Sequence, residues 1–157
     1  MLPPFQSKQS IIIHAPRKIV WEFNQDLSKI SEFHPRVAKV ELISGKQFRD
    51  AGVAYRCHMS DGKNTCIEKD IEIVPMERIL TELPSDTMGI TKLLPDYVVE
   101  TTFHPVNEKS TRVEIAHFYS VSKWYIRLLN LFIRNRIAKQ TREMLKAMKK
   151  KIEDTYS

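Results

Sequence analysis

Residues 123–154, KWYIRLLNLFIRNRIAKQTREMLKAMKKKIED, contain neither glycine nor proline and are rich in good helix formers, so the end of the chain reads as a long helical segment. Projected at about 100° per residue, its apolar positions do not form one stripe. Trp124, Leu128, Leu129 and Phe132 lie on one side, while Ile137, Met144, Leu145, Met148 and Ile152 lie on nearly the opposite side. The crossover falls near Arg134 to Arg136. Either the helix kinks or divides there, or its first half meets something other than the surface that holds its second half. Residues 123–157 also carry ten Lys/Arg against Glu143, Glu153 and Asp154, whereas residues 1–122 carry fifteen Lys/Arg against sixteen Asp/Glu. The net charge of +6 therefore originates in this segment, whose basic side suits solvent, an anionic membrane surface or phosphates.

Upstream of the helix the period falls to two. Strands are expected at Arg112–Val121 and Tyr97–His104, joined across Pro105 to Ser110, and at Arg78–Leu83, Thr65–Val74 and Val53–Met59. A further strand runs from Val37 to the stop at Gly45. The connections are short, which makes the sheet antiparallel. Pro84 to Pro95 is the one long loop, the kind of segment that serves as a lid or entrance. Ser7 to His14 is a β-branched strand ended by Ala15-Pro16. Arg17–Asn24 then forms a short amphipathic helix, and Asp26 caps a second from Leu27 to about Phe33, stopped by His34-Pro35. The sum is a single α+β domain over residues 1–157, with 1–5 flexible. In it a curved antiparallel sheet of about six to seven strands, with two short helices after the first strand, wraps a long C-terminal helix: the helix-grip arrangement.

The Asp61-Gly62 turn permits two registers. A two-residue turn places Cys57 opposite Cys66 and puts Tyr55, Cys57 and Met59 on the face of Glu68, Asp70 and Glu72, burying three carboxylates. A three-residue loop with Gly62 as a bulge instead aligns the apolar set with Thr65, Ile67, Ile71 and Ile73. The second is preferred, with Cys57 inward and Cys66 outward.

Composition removes several classes. At 157 residues, 42% apolar and 28% charged, the chain is a globular domain without a run of about 18 apolar residues to span a bilayer. The opening MLPPFQSKQS lacks the features of a secretory signal, so a soluble, cytoplasmic protein is expected. Two cysteines are too few for a disulfide scaffold and lack metal-ligand spacing. G-x-S-x-G, G-x-x-x-x-G-K-[ST] and G-x-G-x-x-G motifs are absent, and no cofactor or metal is called for.

Four short motifs occur in order: Ala15-Pro16-Arg17-Lys18-Ile19-Val20-Trp21 followed by Asp26, Leu27 and Phe33-His34-Pro35; Val74-Pro75-Met76-Glu77-Arg78-Ile79; Phe103-His104-Pro105; and Ser110-Thr111-Arg112-Val113. Through them the chain resembles the SRPBCC/START-like superfamily, in particular its polyketide cyclase/dehydrase and coenzyme-Q-binding branches, over Gln6 to about Tyr156. Ser110 stands where that family usually has glycine. The resemblance implies a cavity between sheet and C-terminal helix that takes a hydrophobic small molecule or lipid, such as a quinone, isoprenoid, acyl chain or polyketide.

Alternation along the strands supplies the wall of that cavity: Tyr55 and Cys57; Ile67, Lys69 and Ile71; Tyr97, Thr101 and Phe103; Ile115, His117 and Tyr119. The same list would also serve as an ordinary core. His117 and Lys69 are the acid/base candidates, because an imidazole or ammonium among apolar neighbours must find a partner or shift its pKa. Met88, Ile90 and Leu93 of the long loop, with Trp124, Leu128 and Phe132, make a candidate entrance that can rest on an anionic membrane. Three functions follow in order: a non-enzymatic carrier or sensor of a hydrophobic molecule; a cyclase or dehydratase using His117 and Lys69; and, since the resembled superfamily includes ribosome-associated proteins, an RNA or ribosome contact through the basic helix. Oligomeric state is left open.

Overall fold

The computed structural model describes residues 1–157. In chain order the elements are β1 (Phe5–Ile13), α1 (Arg17–Gln25), a 3-10 turn (Leu27–Lys29), α2 (Ile30–Phe33), β2 (Val37–Glu41), β3 (Ala54–Met59), β4 (Thr65–Val74), β5 (Arg78–Asp86), α3 (Ile90–Leu93), β6 (Val98–Asn107), β7 (Ser110–Phe118) and α4 (Trp124–Tyr156). The strands form one seven-stranded sheet in the order β1-β7-β6-β5-β4-β3-β2, every pair antiparallel. Local chemistry accounts for the opening. Pro16 precedes α1 in extended conformation, and the Asp26 carboxylate accepts from the Ser28 N–H at 3.0 Å to start the next turn. β1 begins at Phe5, inside the segment expected to be flexible, and the Tyr119 N–H donates to the Pro4 carbonyl.

α4 is one continuous helix from Trp124 to Tyr156 and does not divide near Arg134–Arg136, which leaves the alternative in which its first half presents a second apolar side. Ile126, Asn130, Ile133, Ile137, Thr141, Leu145, Met148 and Ile152 follow one another at steps of three or four and form a single inward stripe. Leu145, Met148 and Ile152 pack on Ile13, Val113 and Ile115, with Met144 against the same core, and Trp21 meets Phe103 edge-on beneath them. Several basic residues of α4 close the free edge of β1, whose carbonyls would otherwise be open to another strand. Arg134 Nε donates to Gln6 O at 2.8 Å and Lys149 Nζ to Ile12 O at 2.6 Å.

The β3–β4 register is the other one. Cys57 pairs with Cys66 and Tyr55 with Glu68 around a turn at Ser60–Lys63, in which Asp61 Oδ1 accepts from the N–H groups of Lys63 and Asn64 and Gly62 adopts φ 77°. Cys66, Glu68 and Asp70 therefore face inward, and Ile67, Lys69 and Ile71 face outward, opposite to expectation. Cys66 is buried rather than exposed, and both thiols are free. Burying two carboxylates is tolerable here because Arg49, from the loop after β2, reaches between them. Glu72 escapes burial: a bulge between Asp70 and Glu72 shifts the phase, so Ile73 turns back into the core while Ile71 stays 38% exposed.

The long loop is shorter than expected because β5 runs through Pro84 to Asp86. Beyond Leu83, whose N–H donates to the Tyr97 carbonyl, the strand pairs with β4 alone, which leaves its other side without a ladder for proline to break. The Asp86 carboxylate then accepts from the N–H groups of Met88, Ile90 and Thr91, holding α3 against the sheet end.

Candidate functional site

Three apolar clusters divide the interior. One is the core just described; a second joins Leu27, Ile30, Val37, Val53, Tyr55 and Cys57; a third joins Leu94, Tyr97, Tyr119 and Ile126. Two polar groups lie on the same inner face, one on each half of the sheet.

The first belongs to β3, β4 and β5. Arg49 Nη1 donates to Asp70 Oδ1 at 2.8 Å and to the Tyr55 hydroxyl at 3.0 Å, and its Nε donates to the Asn24 carbonyl at 2.8 Å. Thr81 Oγ1 donates to Asp70 Oδ1 at 2.9 Å, while Asp70 Oδ2 meets no donor in the fold. Glu68 stands beside Tyr55 and accepts from the Cys57 thiol, with Sγ to Oε2 at 3.1 Å. Burial pushes the carboxyls of Glu68 and Asp70 up, against the pull of Arg49. The Arg49 guanidinium stays charged: burial works against it, but Tyr55, Asp70 and Glu68 more than offset that.

The second group joins β6 and β7 to α4. Thr141 gives its hydroxyl proton to the Ile137 carbonyl at 2.8 Å, so at 2.9 Å its oxygen accepts from His117 Nε2. Nδ1 of the neutral ring is then the acceptor and takes the Tyr97 hydroxyl proton at 2.8 Å. Burial pulls the His117 pKa down to about 4. Tyr97 stacks on Tyr119 at 5.2 Å, and the Tyr119 hydroxyl donates to Asn130 Oδ1 at 2.6 Å.

Glu68 and Arg49 share one further property. Each is only partly buried, and the Arg49 side chain retains 12% of its surface, so neighbouring side chains do not seal either one completely. His117 is likewise partly buried. Two depressions lie elsewhere: one of about 610 Å³ on the outer face, bordered by Leu2, Pro3, Leu80 and Val98, and one of about 300 Å³ between β1 and α4 beside Gln6, Leu131 and Arg134.

Among the residues singled out from sequence, Tyr55 and Cys57 join the first polar group, Tyr97, His117 and Tyr119 the second, and Thr101 faces inward between them and the core. Phe103 and Ile115 fill the core. Ile67, Lys69 and Ile71 stand on the outer face, where Lys69 lies opposite Glu82. That placement removes Lys69 as an interior acid/base group. Arg49 carries no signal in the sequence, and Glu68 and Asp70 are the carboxylates of the register set aside there; their signal is the alternation Cys66, Glu68, Asp70 opposite Tyr55 and Cys57. Met88, Ile90 and Leu93 are 36–37% exposed at α3, and Trp124, Leu128 and Phe132 are exposed on α4. No helix is long and apolar enough to cross a membrane, and no group of three or more His, Cys, Asp or Glu is arranged to hold a metal ion.

Solved structures with this architecture are similar only at low identity, which speaks for the fold alone. A START superfamily protein from Mycobacterium smegmatis superposes with a TM-score of 0.77 at 11% identity, over 97% of this chain and 99% of that one. Zhui aromatase/cyclase from Streptomyces sp. R1128 gives 0.74 at 14%, over 96% and 94%. Norcoclaurine synthase from Thalictrum flavum, in complex with dopamine and hydroxybenzaldehyde, gives 0.74 at 15%, over 94% and 86%. Among curated proteins nothing matches. A family model, polyketide cyclase / dehydrase and lipid transport, matches residues 4–153, and the chain belongs to that family of helix-grip proteins.

Proposed function

We propose that the protein binds a hydrophobic small molecule between the inner face of the sheet and α4, with the molecule's polar end against Glu68 and its apolar body toward the cluster of Leu94, Tyr97 and Ile126. The observation that carries this reading is Glu68: a partly buried carboxyl with only a weak thiol donor and one tyrosine beside it, and with free surface remaining. A carboxyl whose pKa is raised can donate to a ligand carbonyl when protonated or accept from a hydroxyl when ionised, which suits a quinone, a polyketide or a fatty acid derivative. His117 supports the wall from behind, since both of its nitrogens are already engaged.

Native mass spectrometry of protein purified from its own host is the test. A co-purifying hydrophobic mass, released on denaturation, is expected. Glu68→Gln keeps the shape and removes the ionisable group, so retention of that molecule should fall by about tenfold, the scale of a hydrogen bond to a charged partner. Protein that carries nothing, and that does not take up an apolar fluorescent probe, would overturn the reading. A second reading, conversion of the bound molecule, is favoured by one observation: the raised carboxyl of Glu68 beside the Tyr55 hydroxyl is a pair suited to proton transfer. If turnover of the co-purifying molecule is found, Glu68 takes the acid/base role first considered for Lys69.

A further inference from the structure

The first four turns of α4 carry two apolar faces. Ile126, Ile133 and Ile137 pack inward, while Trp124, Leu128 and Phe132, at four-residue steps, project from the opposite side and are 73%, 71% and 70% exposed. Leu131 beside them is 62% exposed. Packing explains the first face and leaves the second without a partner, and a contiguous apolar ridge of this kind marks an interaction surface. Four features of the structure say what covers it.

The ridge continues along the same side of the helix as Lys139 and Lys146, and from Lys123 to Arg142 there is no Asp or Glu. Arg134 is occupied at the edge of β1, but Lys123, Arg127, Arg136 and Lys139 form no ion pair with a carboxylate. α3 stands beside the first turn of α4, because Leu94 and Ile126 share a cluster, and it adds exposed Met88, Ile90 and Leu93 with Lys92. A second copy docked through this face would bring its cations against the same cations, so the occupant is anionic. Leucine between the two aromatics gives an inserting ridge rather than a series of platforms for bases, which separates an anionic lipid surface from a nucleic acid.

We infer that the amino-terminal half of α4, together with α3, docks on an anionic lipid bilayer, Trp124, Leu128 and Phe132 entering the headgroup region and Lys123, Arg127, Arg136 and Lys139 meeting lipid phosphates. Docking in this way presents the Leu94, Tyr97 and Ile126 end of the interior to the lipid. The inference does not depend on which molecule the interior holds.

Flotation of the full chain with vesicles tests it. Vesicles of phosphatidylcholine mixed with phosphatidylglycerol should carry the protein upward, phosphatidylcholine alone should not, and added salt should release it. Joint substitution Trp124→Ser and Phe132→Ser should reduce binding by about tenfold or more at an unchanged unfolding midpoint, since neither ring supports the core. Arg136→Gln and Lys139→Gln should each cost roughly fivefold. Equal, salt-insensitive binding to neutral vesicles would overturn the inference. So would failure to bind either vesicle, whether the same double variant then dissolved a dimer or abolished retention on RNA.

Discussion

His117 and Glu68 occupy comparable places on the two halves of one sheet and end in opposite states. Each lies on the inner face, each is partly buried, and burial works against the charged form of each. The histidine belongs to a closed relay that runs from the Tyr97 hydroxyl through the ring to Thr141 and ends on the Ile137 carbonyl. Every polar atom in that relay has a protein partner, and the relay ties β6 and β7 to α4. The carboxyl of Glu68 receives a thiol proton from Cys57, has Tyr55 beside it, and keeps capacity for more. A buried titratable group is thus not functional by being buried; what distinguishes the two is whether the fold has already used its hydrogen bonds.

That comparison can be broken most directly at the pair behind Glu68. Asp70 is fully buried and bonded to Arg49, so Asp70→Ala leaves the largely buried guanidinium without the carboxylate it bonds directly and should lower unfolding stability in denaturant by about 3–5 kcal/mol. A loss below about 1 kcal/mol would mean that the pair is not a strut and that the β4 carboxylates are freer than their geometry indicates.

At the closed relay, His117→Phe strands the Tyr97 hydroxyl and should cost about 1–3 kcal/mol of stability. Its effect on ligand retention should be smaller than that of Glu68→Gln; the reverse order would exchange the roles of the two groups. The pH dependence sharpens this. The native pKa of His117, about 4, lies below the ordinary 6.5, so on acidification the unfolded chain takes up the proton first. Stability should therefore decline from pH 6.5 to 4 by an amount on the order of 3 kcal/mol from this group. His34, also at about 4, acts with the same sign and should remain as a shallower slope in the His117→Phe protein.

The smallest effect is expected one residue from Asp70. Lys69 lies on the outer face, and Lys69→Ala should change stability by no more than about 0.5 kcal/mol and leave ligand retention as it was. A large effect there would return β4 to the opposite register.

β7 could be read from its own alternation because nothing interrupts it: Val113, Ile115 and His117 face inward as written. β4 could not. Strict alternation puts its apolar residues Ile67, Ile71 and Ile73 on one side, but the bulge at Asp70–Glu72 places Ile73 opposite Ile71. The rejected register looked too costly only because its compensating charge was out of view. Arg49 lies 21 residues before Asp70, in a loop with no periodicity to say where its side chain goes. The two apolar sides of α4 are visible in the sequence, yet a wheel cannot tell a divided helix from a continuous one with an uncovered ridge.

Sequence by itself determined the order of the strands and main helices, the antiparallel sheet and the long last helix, because period, turn residues and short connections are local properties. Tertiary structure alone decided which face of β4 turns inward, where Arg49 reaches, which partner each imidazole nitrogen of His117 takes and which side of α4 remains uncovered. Each of these depends on the free energy of bringing a charge or apolar surface against a partner far along the chain, and such a partner exists only once the sheet has closed over the helix.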